Sequence, residues 1–401
     1  MIKSKKITNK YNVSKKGIYL DYASATPVDK RVISIINQNL KRNFANPSAI
    51  HELGLKVNKI LEDSRAYISN VLGSCSDEII FTGGATENNN LAIRGVLEKN
   101  TFFIPHIITS NIEHPSVMEI CKYLEETKKA EVTYVNVESN GLVDPKKIKK
   151  AFRLNTIMVS VMYANNEIGT IQPIKEIAKE VRHFRKKNNS IFPIFYTDAT
   201  QAVNYLPIKV ANLGVDMLSF NGDKIYGPKD IGVLYVKRGI PIGKIMFGGA
   251  QEFGIRPGTE NLASIVGIRE ALKITERIKE KESERLTLLR DFFIKKILEL
   301  DNTIKINGDL KNRLPNNINI SIPKIPSDLI LIELSARGIY VSEKSACKSG
   351  EKKSSYVINA LYKNDYGSLR FSLGRDTKKE DIDYVIKSLK DIFKKLKKWY
   401  D

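Results

Sequence analysis

Short apolar runs alternate with longer stretches of helical period through the first part of the chain. The runs are Ile79-Ile80-Phe81-Thr82, Ile107-Ile108-Thr109-Ser110, Val132-Thr133-Tyr134-Val135, Ile157 through Tyr163, Ile191 through Thr197 and Val215 through Phe220. This alternation predicts a mostly parallel sheet wrapped by helices. One intervening segment shows the helical period clearly, with Pro173 in the first turn and Ile174, Ile177, Ala178, Val181 and Phe184 on one face. After Asn261 the pattern changes to a long charged helix ending near Leu300. A smaller unit follows: a strand from Asn317 to Ile322, a helix from Ser327 to Ala336, a strand from Ile339 to Val341, a polar loop, a helix, a strand from Ser368 to Leu373 and a closing helix. Thr377 and Glu380 have the spacing of a capping box for that last helix, whose apolar stripe is Ile382, Val385, Ile386, Leu389 and Ile392.

The fold class expected from this pattern is α/β, divided into a basic extension over residues 1–17, a large domain over 18–260, and a linker helix with a small C-terminal domain over 261–401. Whether the first residues of the large domain pack on the smaller one is left open by the pattern. With 401 residues and 42% hydrophobic content, the chain has enough apolar material for two cores. The basic N-terminus (Lys3, Lys5, Lys6, Lys10) is not followed by an apolar stretch of signal-peptide length, and runs such as Leu329-Ile330-Leu331-Ile332 are too short to span a bilayer. Three cysteines, Cys75, Cys121 and Cys347, have neither disulfide-framework nor metal-type spacing. The expectation is a soluble cytoplasmic protein with no metal site. The formal charge of +20 comes from lysines scattered along the whole chain, without the interleaved aromatics that stack bases. It reads as a solvated surface able to steer acidic partners, not as a direct nucleic-acid function.

The chemistry gathers at strand ends. Lys224 sits between two apolar runs in Ser219-Phe220-Asn221-Gly222-Asp223-Lys224-Ile225-Tyr226-Gly227-Pro228-Lys229, and Asp198 closes an earlier run in Tyr196-Thr197-Asp198-Ala199-Thr200-Gln201. A lysine amine so placed can form a Schiff base, and a neighbouring carboxylate can keep a cofactor's ring nitrogen protonated, which together suggest pyridoxal 5'-phosphate. Phe81-Thr82-Gly83-Gly84-Ala85-Thr86 reads as strand, glycine pair and helix start, so the amides of Ala85 and Thr86 and the Thr86 hydroxyl can face an anion. His114 follows a strand in Ile112-Glu113-His114-Pro115-Ser116, where its ring can stack on a flat heteroaromatic group and relay protons, or can be simply a loop histidine. His51, His106 and His183 read as structural. Cys347 lies in a long polar stretch beside Lys344 and Lys348, an address that favours thiolate and nucleophilic behaviour. Cys121, between apolar neighbours, reads as structural, and Cys75 as an incidental surface thiol.

Taken together, these strings resemble the cysteine desulfurases, in the class V aminotransferase group of fold type I pyridoxal-phosphate enzymes. The resemblance is collinear from about Ile18 to the C-terminal helix. It includes Leu20-Asp21-Tyr22-Ala23, Asn46-Pro47, Gly84-Ala85-Thr86-Glu87, Glu113-His114, Asn165-Asn166-Glu167-Ile168-Gly169, Asp198-Ala199-Thr200-Gln201, Lys224 through Lys229, Arg256-Pro257-Gly258-Thr259-Glu260-Asn261, Ser345-Ala346-Cys347 and Arg370-Phe371-Ser372-Leu373-Gly374-Arg375. The polar segment over about 342–354 is similar to the subgroup with an extended cysteine loop. The resemblance implies a seven-stranded, mostly parallel sheet in the large domain and a smaller α+β domain. It implies that Lys224 holds pyridoxal 5'-phosphate and moves the Cα proton, that Asp198 pairs with the pyridine nitrogen and that His114 stacks on the ring. Asn165 and Gln201 would bond near the phenolic oxygen, and Ala85, Thr86 and Asn221 would bind the phosphate, with Thr259 reaching it from the other subunit of a homodimer. Asn46 and Arg370 would hold the carboxylate of L-cysteine. Cys347 would take the substrate's sulfur as a persulfide, release alanine and pass the sulfur to an acceptor protein serving iron–sulfur cluster assembly or tRNA thiolation.

One departure from the family pattern touches the cofactor. The family usually has Ser-Gly-His before the lysine, whereas this chain has Asn221-Gly222-Asp223. A carboxylate pointing inward would repel a phosphate dianion, so Asp223 is expected to turn outward or pair with a nearby cation, with weakened cofactor affinity. In the cysteine loop, Lys344 and Lys348 stand where the family tends to have small residues. Alternative functions are a selenocysteine lyase or other fold type I lyase, and a non-catalytic scaffold with impaired cofactor binding.

Overall fold

A computed structural model describes residues 17–323, 325–343, 355–362 and 367–400 of the protein. Cys347 and most of its polar loop therefore lie outside the described residues. The larger sheet has seven strands: β2 (Ile79–Thr82), β3 (His106–Ser110), β4 (Glu131–Val135), β5 (Thr156–Ser160), β6 (Ile194–Asp198), β7 (Met217–Asn221) and β8 (Gly232–Val236). They lie in the order β2-β8-β7-β6-β5-β3-β4. Only β8 runs against the rest, pairing antiparallel with both β2 and β7. The connection from β7 to β8 carries no long helix, and a short connection cannot make the crossover that parallel pairing requires.

The strand expected over Ile157 through Tyr163 stops at Ser160. The next residues still touch β6, through Val161 N–H to Tyr196 O and Tyr163 N–H to Asp198 O. Between them the Met162 amide points to the other side, where β3 has ended at Ser110, and there meets the buried Glu113 carboxyl at 3.1 Å. β8 was not among the expected runs. Its Gly-Val-Leu-Tyr-Val is apolar enough, but it follows the polar Lys229-Asp230 turn and has no helical segment before it.

Helices cover both faces. On one face α3 (Ala85–Glu98) and α4 (Pro115–Glu126) bury Leu91, Ile93, Val96, Val117, Ile120 and Cys121. On the other, α6 (Ile174–Asn188) buries Ile174, Ile177, Ala178 and Val181, the expected stripe, and Phe184 stacks on Phe152 at 4.6 Å between ring centres. The long helix α8 (Leu262–Leu300) belongs to two cores. Its first half, with Leu262, Ile265, Val266 and Leu272, packs with the large sheet, and its second half, with Leu286, Phe293 and Ile297, packs with a smaller sheet. That sheet is antiparallel and comprises β9 (Lys305–Ile306), β10 (Asn317–Ser321) and β12 (Ser368–Ser372). The closing helix α11 (Lys379–Tyr400) packs Ile382, Val385, Leu389 and Ile392 beneath it. Its start differs from the expected capping box: Thr377 Oγ1 accepts from Gly374 N–H, and Asp381 accepts from Lys378 N–H at 2.8 Å. The helix begins one residue later than the Thr377 signal implied, because Thr377 is spent on the preceding turn.

The N-terminal segment joins the two units. β1 (Ile18–Tyr19) pairs in parallel with β11 (Ile339–Tyr340), and Ser372 N–H bonds Leu20 O at 2.7 Å. A few residues on, the Thr26 hydroxyl bonds Asp223 O at 2.8 Å and Asp29 N–H bonds Tyr226 O. Residues 20–29 thus run from the smaller sheet across to the turn that carries Lys224. Among the described residues no helix is long and apolar enough to cross a membrane, and no cluster of metal-ligating side chains occurs.

Candidate active site

In an open α/β sheet, ligands collect beyond the C-terminal ends of the parallel strands. There the structure has a cavity of about 460 Å³, within the range of small-molecule sites. Its floor comes from the ends of β2, β6 and β7, and one wall comes from Arg370 of the smaller sheet.

The anion end is built by the glycine pair. Gly84 has φ of 140°, a backbone conformation that side chains rarely adopt, and it precedes α3 with no side-chain cap. The first amides of an uncapped helix have no intrahelical acceptor and carry the positive end of its dipole. Ala85 and Thr86 line the cavity at this point. Glu87 reaches back, accepting Gly83 N–H at 2.6 Å, and its other oxygen takes Arg256 Nε at 2.9 Å, which offsets a negative charge beside the cradle. The Asn221 side-chain oxygen faces the same cavity, buried and without a partner. An amide turned over offers its NH2 instead, so this position supplies a donor to an anion.

The ring end is a hydrogen-bonded network. Asp198, at the end of β6, accepts Thr200 N–H at 2.9 Å on one oxygen and Asn89 Nδ2 at 3.2 Å on the other. Asn89 also donates to Ser116 Oγ at 2.7 Å, and Ser116 Oγ lies 2.8 Å from His114 Nδ1. Because His114 Nδ1 also accepts Ser116 N–H, the neutral ring carries its proton on Nε2. Burial pushes the His114 imidazole below its ordinary value, against the opposing pull of the Asp198 carboxylate. Beneath the network, Glu113 is fully buried, bonded by Ser110 Oγ at 2.5 Å, and pushed up to about 8 by burial.

Lys224 closes the set. Gly222 permits its turn, since a side chain there would meet the Pro228 carbonyl at 2.4 Å. Tyr226 holds φ at 62°, unusual for a bulky residue, fixed by Thr26 Oγ1 on its N–H and by Arg375 lying 3.8 Å above its ring. Lys224 Nζ donates to Ser24 O at 2.6 Å and to Asp223 Oδ2 at 2.8 Å. Asp223 is therefore paired with a nearby cation, and that cation is the neighbouring lysine itself.

Arg370 is 1% exposed. Its Nη2 bonds Asp21 Oδ1 at 2.8 Å and Ser24 Oγ at 2.6 Å, and its Nη1 bonds Asn166 O at 3.1 Å. Nε is buried with no acceptor among the described residues.

The cleft thus brings together Lys224, Asp198, His114, Ala85, Thr86, Gln201, Asn221 and Arg370. Gln201 lines it but spends Nε2 on Ala23 O at 3.0 Å. Two sequence-based expectations place differently. Asn165 does not line the cavity: its Oδ1 accepts the amides of Glu167 and Ile168, its Nδ2 donates to Ile112 O, and Asn166 lines the cavity instead. Asn46 stands apart, its Oδ1 accepting Ser48 N–H. Thr259, expected to act from a second subunit, is exposed and does not line the cleft of its own chain. Asp21, Ser24, Asn89 and Glu87 were missed as site residues. Asp21 and Glu87 lie inside motif strings, but their partners are set by tertiary contacts. A planar heteroaromatic aldehyde with a phosphate fits this cavity: an uncapped helix N-terminus and an orphan amide at one end, a carboxylate and an imidazole in the middle, an amine at the mouth.

A family model for aminotransferase class-V matches residues 18–385. The chain is 43% identical over 386 residues to a cysteine desulfurase IscS of Dictyoglomus turgidum, covering 96% of each. A solved NifS-like protein superposes with a TM-score of 0.86 at 33% identity, covering 94% of this chain and 99% of that one. A structure of SspA in complex with cysteine superposes with a TM-score of 0.76 at 32% identity, covering 89% and 98% respectively.

Proposed function

The chain belongs to the aminotransferase class-V family and, within it, to the cysteine desulfurases, and on that premise we propose that it binds pyridoxal 5'-phosphate and transfers sulfur from L-cysteine. The family is pyridoxal-phosphate-dependent. The observation that carries the reading is one cavity in which an amine, a carboxylate, an imidazole and a buried arginine converge. When bound, the cofactor supplies an electron sink for the substrate's Cα.

The protein's own residues do the rest. The helix start at Ala85–Thr86 and Asn221 would bind the phosphate, and Asp198, held on both oxygens, would keep a proton on the pyridine nitrogen. The Asn89–Ser116 link orients His114 as a flat cover for the ring. Arg370, on the wall opposite the strand ends, takes the substrate carboxylate, fixing which Cα bond faces Lys224. Lys224, whose amine stands in the same cavity, would move the proton at Cα. The sulfur acceptor is Cys347: its thiolate attacks the substrate sulfur, an S–S bond forms as the C–S bond breaks, and the electron pair left on Cβ takes a proton to give L-alanine. The persulfide sulfur then passes to an acceptor protein of iron–sulfur assembly or tRNA thiolation. A homodimer completes the phosphate site with Thr259 of the second subunit. In support, the segments around Asn46 and before Thr259 expose large apolar residues, Phe44, Ile50 and Phe247 each more than three-quarters accessible. The SspA structure, a relative holding cysteine, supports the choice of substrate.

The test is incubation with L-cysteine, with the mass of the Cys347 peptide and free alanine measured together. One sulfur gained per alanine released is expected. Alanine without the mass gain, or with a gain retained in Cys347→Ser, contradicts the reading.

A further inference from the structure

The contact between Asp223 and Lys224 has no counterpart in the family pattern, where a histidine precedes the lysine. In this chain the carboxylate lies 2.8 Å from Nζ, and the Ser24 carbonyl lies 2.6 Å from it on another side. Both side chains are about four-fifths buried, so the pair is partly shielded from water. Other charged groups line the same cavity: Asp198 and His114 below, Lys229 and Asp230 beyond the turn, and Arg370 on the opposite wall. None of them is bonded to Lys224 Nζ among the described residues.

We infer that Asp223 is the positioning residue of Lys224: with the Ser24 carbonyl it holds the ε-amine in a fixed place in the cleft, so that cofactor loading must first break this ion pair. The inference rests on the proposed pyridoxal-phosphate reading and deepens it. A lysine bonds to an aldehyde through its free electron pair; the carbon–nitrogen bond forms, one water leaves, and the ammonium proton must go elsewhere first. Asp223 is a poor destination for that proton, since a carboxylate is ordinarily about six units more acidic than an ammonium. Its contact holds the amine in place and does not relay the proton away. An attraction of about 1 kcal/mol, the scale of a partly screened pair, corresponds to about fivefold in the rate at which the amine is released from it.

The test uses full-length apo-protein mixed with pyridoxal 5'-phosphate, following visible absorbance with time and locating the bond by borohydride reduction and peptide mass. Asp223→Asn is expected to load about fivefold to tenfold faster than the wild type. Asp223→Glu, which keeps the carboxylate, is expected within about twofold of it. The same comparison with pyridoxal, which lacks the phosphate, separates the ion pair from simple repulsion of the phosphate by Asp223. The ion pair predicts the same acceleration with both aldehydes. Acceleration confined to the phosphorylated one, or equal rates in all three proteins, overturns the inference while leaving the proposed cofactor in place. If neither wild type nor variants acquire visible absorbance or an adduct at Lys224, it is the cofactor reading that fails.

Discussion

On the sheet wall of the cleft, Asp198, Asn89, Ser116 and His114 satisfy one another within a hydrogen-bonded chain built on neighbouring strand ends. On the opposite wall Arg370 is held by Asp21 and Ser24, the former 349 residues away, and keeps one buried nitrogen without an acceptor among the described residues. The first wall is tied together by its own hydrogen bonds and presents one fixed shape and charge to a planar ring. The second holds a cation beside a carboxylate borrowed from the N-terminal segment, an arrangement suited to a group that comes and goes with each turnover. Lys224 stands between them, tied to Ser24 on the N-terminal segment and to Asp223 on its own turn.

The contrast can be broken from either side. The largest effect is expected at Lys224 itself: Lys224→Ala should lower the rate of alanine formation by at least about a thousandfold, as loss of a proton-moving group does. On the substrate wall, Arg370→Ala should lower kcat/KM for L-cysteine by roughly a hundredfold, mostly through KM, because a buried charge-assisted contact is lost. Asp21→Asn should act in the same direction but about tenfold, since Ser24 and Asn166 still hold the guanidinium. Steady-state kinetics at varied L-cysteine separates these cases. If Asp21→Asn changed kcat alone, the carboxylate would belong to the chemistry and not to the arginine.

The sheet wall makes a prediction about stability. Glu113 is held protonated up to about 8 in the fold against an ordinary 4.5, by burial. The folded protein therefore binds a proton that the unfolded chain releases between those values. The contribution is fully present below pH 4.5 and is lost as pH rises through about 8. Urea unfolding at pH 5 and pH 8 should show the wild type losing on the order of a few kcal/mol across this window relative to Glu113→Gln, which cannot ionise. Parallel pH dependence in the two proteins would mean that Glu113 is charged in the fold.

Much of this was legible in the sequence because it is local. The apolar runs predict six of the seven large-sheet strands, and the positions of Lys224, Asp198 and the glycine pair at strand ends follow from adjacency to those runs. What adjacency cannot give is which side chain a tertiary contact consumes. Asn165 looks like a ring contact, but the turn through Glu167 and Ile168 takes its oxygen and Ile112 takes its amide nitrogen. Asp21 and Ser24 meet Arg370 only because β1 joins the smaller unit and the chain then crosses the cleft. Asp223 was visible as an anomaly, yet its partner depended on the turn that Gly222 permits.

The central claim is that the cleft is a pyridoxal-phosphate site whose covalent anchor is Lys224. Its most direct test is to incubate the folded protein with pyridoxal 5'-phosphate, reduce with borohydride and map the modified peptide by mass. The account predicts a coloured protein carrying a single cofactor adduct on Lys224. A colourless protein, or an adduct that persists elsewhere in Lys224→Ala at the wild-type level, would contradict it.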